Sequence, residues 1–237
     1  MEIKTVTYRF DLADGSHEVF DLKIGKADMH IIREKNWQFP SWTDLEFHRC
    51  PNCPVDDERF SFCPVAANLV PIVERLDRLL SYDDIGLCVE TEERQIIKKT
   101  SAQRGISSLM GLLIAVSECP LTDFFKPMAH FHLPVANREE TIWRAASMYY
   151  LAQYFLYTKG YDMDLSLKGL SHLYDRIEQL NMAMLQRLRS VSKRDSAINA
   201  LIHLDVFAKY LAPSVEESLK KVEHILTPLI SALTDPS

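Results

Sequence analysis

The period of the apolar residues changes once along the chain, near residue 100, and that change limits the fold more than any other feature. Ahead of it the apolar positions alternate. Thr5–Phe10 has period two, and so does Val19–Leu22. Between them Ala13-Asp14-Gly15-Ser16 carries the Asp-Gly signal of a hairpin turn. Gly86–Glu90 and Gln95–Lys99 repeat the pattern across an acidic turn. One helical stripe, Val65–Leu80, interrupts the strands, and Leu45-Glu46-Phe47 reads as a short further strand. Trp37, Phe39, Pro40 and Trp42 suggest an ordered aromatic loop.

Beyond residue 100 the period is that of helices. Thr100 and Gln103 make a capping-box pair that opens a helix to about Glu118, just ahead of Pro120. Asn137 and Glu140 make a second, for a helix that runs to about Lys159 and stops at Gly160. Further stripes follow over 170–191, over 196–211 with a stop near Pro213, and over 219–233. The expected fold is α+β: antiparallel hairpins over 1–99, then a bundle of about five helices over 100–237. No low-complexity linker separates the two parts, so they are expected to be tightly docked.

The cysteines fall unevenly. His48, Cys50, Cys53 and Cys63 have the spacing H-x-C-x2-C-x9-C. Zinc prefers four nitrogen or sulfur ligands in a tetrahedron, and a C-x-x-C turn points two sulfurs at one ion. Proline stiffens the segment and removes competing amide donors. The expectation is a Cys/His knuckle holding one structural zinc through His48, Cys50, Cys53 and Cys63. Two alternatives stay open: reduced cysteines packed on the sheet, and a redox dithiol at Cys50 and Cys53. An iron–sulfur cluster needs four thiolates, so Cys88 or Cys119 would have to join from far along the chain.

A second polar group lies within 119–134. Cys119, Asp123, His130 and His132 offer metal-ligating atoms, and an extended H-x-H pair aims both imidazoles one way. No known metallohydrolase pattern is present. The bland alternative is a proline-bounded connection whose histidines bond backbone carbonyls. Arg104, Ser108, Arg144 and Gln153 sit in two apolar stretches, where a buried arginine must be paired or bind an anion. They make a candidate ligand pocket, against internal ion pairing to Asp123, Glu139 or Glu140.

The segments CPNCP, CPVA, SSLMGLL and HLP-x-A-x-x-EET resemble an uncharacterised family of bacterial proteins of unknown function. The resemblance implies a bacterial cytosolic protein and carries no activity with it.

Function is narrowed mostly by exclusion. Net charge is −6, which provides no positive field for nucleic acid. Seven glycines leave little for phosphate-cradling loops. The longest uncharged apolar runs, 105–117 and 145–158, fall short of a membrane span and read as central buried helices. Met1–Phe10 has no signal-peptide pattern, and an odd cysteine count without one suits a reducing cytoplasm. The expected function is a non-enzymatic binding or regulatory protein that recognises a protein partner or a small anionic ligand. A metalloenzyme and a thiol redox protein are the alternatives. A homodimer is plausible, because the hairpins leave strand edges to pair.

Overall fold

The structure is a computed structural model, and it describes residues 2–33, 38–56, 58, 60–211 and 215–234. Trp37 and Pro213 lie outside the described residues.

Both hairpins form. β1 (Ile3–Asp11) pairs antiparallel with β2 (His17–Gly25), and Gly15 takes φ +82° in the turn between them. β3 (Asp84–Thr91) pairs with β4 (Gln95–Ser101). β3 also pairs with β1, which gives one antiparallel sheet in the order β2-β1-β3-β4. Alternation puts Val6, Tyr8, Phe10, Phe20, Leu22, Ile85, Leu87 and Val89 in the core.

Two helices supply the rest of that core. α1 (Pro64–Leu76) buries Val65, Leu69, Ile72 and Leu76, and stops there with Asp77 as its C-cap, short of the Leu80 that the stripe suggests. α2 (Ala102–Ala115) lies close on the sheet. A methyl group on Gly105 would come within 2.7 Å of Ile85 and 3.2 Å of Phe10. The Thr100 capping box does not form: Thr100 is still in β4, opposite Ile85, and Ser101 is the N-cap without a side-chain bond. The Leu45–Phe47 strand is also absent, replaced by turns with a lone bridge between Asp44 and Phe62.

The helices then continue as α3 (Lys126–His130), α4 (Arg138–Tyr157), α5 (Lys168–Val191), α6 (Ser196–Leu211), α7 (Val215–Lys220) and α8 (Glu223–Thr234). With α2 that makes seven after the sheet among the described residues, not about five. Pro120 starts a 3-10 turn (Pro120–Phe125), and Pro127 lies in the first turn of α3. The last stripe is split between α7 and α8. The capping box at α4 forms as expected. The Asn137 side chain accepts from the Glu140 amide at 2.9 Å, and Glu140 accepts from the Asn137 amide at 2.6 Å.

The chain divides into two compact units, Met1–Val135 with Ile177–Asp205, and Ala136–Arg176 with Val206–Ser237. Residue 100 falls inside the first, because α2 packs on the sheet that β4 has just left. The first unit holds most of the core. The second has its own buried residues, including Ile142, Ala145, Leu170 and Tyr174. There α4 is not the all-round buried helix its composition suggests. Leu151, Tyr154, Phe155 and Tyr157 are more than half exposed, and α8 buries no described side chain. An apolar helix is buried only as far as packed neighbours cover its sides, and α8 covers little. No single helix among the described residues is long and apolar enough to cross a membrane.

Candidate functional site

The cysteine segment is a loop tied at its neck. Cys63 donates its amide to Thr43 at 2.7 Å, and Leu45 donates to Ser61 at 3.1 Å. Within the loop the Cys53 amide bonds the Cys50 carbonyl at 3.1 Å, closing the C-x-x-C turn. Pro51 and Pro54 have no amide to compete with it. Cys63 is the extended N-cap of α1, with Pro64 in the first helical position. His48 is exposed, with backbone in the left-handed region (φ +48°) and its ring edge against Phe47.

Cys119 comes to the same corner from the other side. It too is an extended N-cap before a proline, at the turn Pro120–Phe125. Its carbonyl accepts from the Thr122 amide and hydroxyl at 3.0 and 2.9 Å. The start of α1 and the end of α2 are bonded together. Asn68 donates to the Leu113 carbonyl at 2.8 Å. Arg33 reaches the Pro64 carbonyl at 3.4 Å, Asn68 at 3.1 Å and Glu118 at 3.1 Å. Cys63 and Cys119, the residues next to Pro64 and Glu118, are carried along by these bonds.

Four of the five cysteines are therefore electrostatic neighbours. Burial pushes the Cys50 thiol up to about 12, and charge on Cys63 and Cys53 would push it the same way. Burial also pushes Cys119 up to about 12, with Cys63, Cys50 and Cys53 adding to the effect. Cys63 is raised by burial as well. Each of the four precedes a proline: Pro51, Pro54, Pro64 and Pro120. The fifth, Cys88, precedes Val89 on β3, on the sheet face opposite buried Leu87 and Val89. Among the described residues no three His, Cys, Asp or Glu side chains already stand in a metal-holding arrangement.

The group nearest in charge to these thiols is Arg187 of α5, which sequence reading passes over. It is 1% exposed. Its guanidinium donates to the carbonyls of Trp42, Asp44 and Leu45 at 2.7, 2.8 and 3.0 Å. Its Nε is buried without a hydrogen-bond partner among the described residues. The charges that would favour its ionised form most are those of Cys63, Cys50 and Cys53, ahead of Asp44. Helical periodicity gives no sign of this, because a buried arginine on a helix reads like any polar break in the stripe.

The remaining candidates have local partners. Asp123 is exposed and pairs with Lys126 at 2.8 Å. His130 closes α3, and its carbonyl accepts from the buried Lys4 ammonium. His132 Nε2 lies 2.6 Å from the Tyr8 hydroxyl, which also bonds Ser108 at 2.9 Å. Ser108 accepts in addition from the Val135 amide at 2.9 Å. Arg104 is exposed on α2 in the first unit. Arg144 and Gln153 belong to the second unit. There Arg144 has Tyr174 and Glu140 as electrostatic neighbours, and Gln153 accepts from the Asp164 amide at 2.9 Å.

An α+β protein with a thiol-rich corner on a four-stranded sheet is the class these features define. The chain belongs to a family described as a domain of unknown function, DUF6901, whose model matches residues 6–227. No curated protein and no solved structure matches it.

Proposed function

We propose that the chain is a non-enzymatic binding or regulatory protein of the bacterial cytoplasm, held in shape by one structural zinc at its cysteine corner. The observation that carries this reading is a buried arginine, Arg187, whose hydrogen-bonding partners are carbonyls without formal charge and whose strongest electrostatic neighbours are Cys63, Cys50 and Cys53. A buried cation needs an anion. Thiolates on a metal provide one, and zinc binds them as thiolates at neutral pH. The ion would draw the sulfurs in from their metal-free positions.

The thiol environment supports this reading over a redox one. A reactive dithiol has a lowered thiol pKa at an electropositive, accessible site, whereas burial pushes Cys50 the other way. A catalytic metal at His130 and His132 has less support, since His132 is engaged with Tyr8. Recognition of a protein partner or small anion falls to the helices, where Arg104 and Arg144 place cations among apolar neighbours.

The test is elemental analysis of untagged protein beside the double variant Cys50→Ser/Cys53→Ser. One zinc per chain is expected, lost in the variant together with thermal stability. Wild-type protein that holds no metal after purification under reducing conditions overturns the reading.

A further inference from the structure

We infer that Cys119, not His48, is the fourth ligand, so that Cys50, Cys53, Cys63 and Cys119 form a four-thiolate site for a single zinc ion with Arg187 as its buried counter-charge. This rests on the metal reading above and specifies its donor set.

Three independent features converge. The first is placement. The bonds Asn68–Leu113 and Arg33–Pro64, Arg33–Glu118 clamp the start of α1 to the end of α2, and the cysteine beside each clamp is buried. Cys63 is 7% exposed and Cys119 is 4% exposed. The second is local chemistry. All four cysteines precede proline, which has no amide to hydrogen-bond a neighbouring sulfur or to turn the chain away. Two of the four are N-caps, and first-turn amides face their sulfurs, those of Ala66 and Val65 at Cys63 and that of Leu121 at Cys119, donors that favour a thiolate. The third is charge. Four thiolates on Zn2+ leave a net charge of 2 − 4 = −2, costly in a buried corner. Arg187 offsets part of it, and its buried Nε has no hydrogen-bond partner among the described residues. On binding, each thiol loses its proton to solvent, and four sulfur–zinc bonds replace four S–H bonds.

The competing ligands lie elsewhere. His48 is exposed, and its ring is turned against Phe47. Cys88 sits in the sheet register between Arg9 and Ile97, on the face away from the core.

The decisive measurement is X-ray absorption at the zinc edge of the full wild-type chain. Four sulfurs at about 2.3 Å are expected; three sulfurs and one nitrogen at about 2.0–2.1 Å would overturn the inference. The same chain loaded with zinc is compared with Cys119→Ser, His48→Ala and Cys88→Ser in competition against a chromophoric chelator. Cys119→Ser should weaken zinc binding at least tenfold, and the other two should leave it unchanged. Full binding by Cys119→Ser, or loss in His48→Ala, overturns the inference and leaves a zinc site standing. Wild-type protein that binds no zinc overturns both readings. Iron with acid-labile sulfide in the purified chain overturns the single-ion site. Absorption spectroscopy needs no variant, so a Cys119→Ser chain that fails to fold does not blunt the test.

Discussion

Arg187 is where physical chemistry and sequence pattern part most sharply. A guanidinium that is 1% exposed has lost nearly all its water. It regains three carbonyl bonds, to Trp42, Asp44 and Leu45, which also hold the neck of the cysteine loop. Hydrogen bonds to a charged group are worth about 1.5–3 kcal/mol each, and removing one partner leaves the others buried and unmet. Arg187→Ala is therefore expected to cost about 3 kcal/mol or more in urea unfolding. Arg187→Lys should recover only part of that, since an ammonium cannot reproduce the planar fork. A loss below about 1 kcal/mol for the alanine variant would remove Arg187 from the role assigned to it. Cys119 teaches the same lesson from the other direction. The Cys-Pro repetition was on view in the chain, but nothing local says that residue 119 folds back to residue 63. The clamp through Asn68 to Leu113 and through Arg33 to Pro64 and Glu118 does.

Elements were legible where a local signal had no tertiary competitor. The Asp-Gly turn fixes the first hairpin, and Gly15 takes the positive φ that the turn requires. Asn137 and Glu140 close their capping box because both lie in one turn and neither is drawn into a strand pairing. Thr100 had the same credentials and failed, because continuing β4 opposite β3 satisfies its backbone better than a helix start would. Leu45–Phe47 failed for want of a partner strand, and the one bridge to Phe62 falls on Asp44, just ahead of it. The α4 cap is also a clean test of what such a box contributes. Asn137→Ala removes the side-chain acceptor for the Glu140 amide, leaves the residue-137 backbone amide to donate to Glu140, and should lower the stability of the unit that contains α4 by about 1 kcal/mol. Asn137→Asp should restore most of it. Thermal unfolding followed by circular dichroism reads both, and an unchanged midpoint for the alanine variant would mean that packing alone sets the start of α4.

At the scale of the whole chain the proposed metal site belongs to the first unit alone. Among the described residues the loop from Thr43 to Cys63 is tied at its neck by Cys63 to Thr43, Leu45 to Ser61 and the Arg187 bonds, while further in it has mainly short-range bonds such as Phe47 to Asp44, Cys53 to Cys50 and Phe60 to Asp56. An irregular segment whose inner bonds are short-range opens locally at lower free-energy cost than a strand or helix unless something else closes it. A four-thiolate ion would close this one and join it to the corner where α2 ends. The second unit has its own buried set, Ile142, Ala145, Ala146, Leu170 and Tyr174, and its own polar anchor, Asp164, which accepts from Tyr149 at 2.8 Å and from the Gly169 amide at 2.8 Å. Removing the metal with a chelator should therefore act unevenly. Amide exchange followed by mass spectrometry should rise over 43–63 and 116–122 and stay flat over 138–157 and 164–175. A rise everywhere would mean that the ion governs the stability of the entire chain. No rise over 43–63 would mean that the loop is closed without it, and the structural role assigned to the ion would fall.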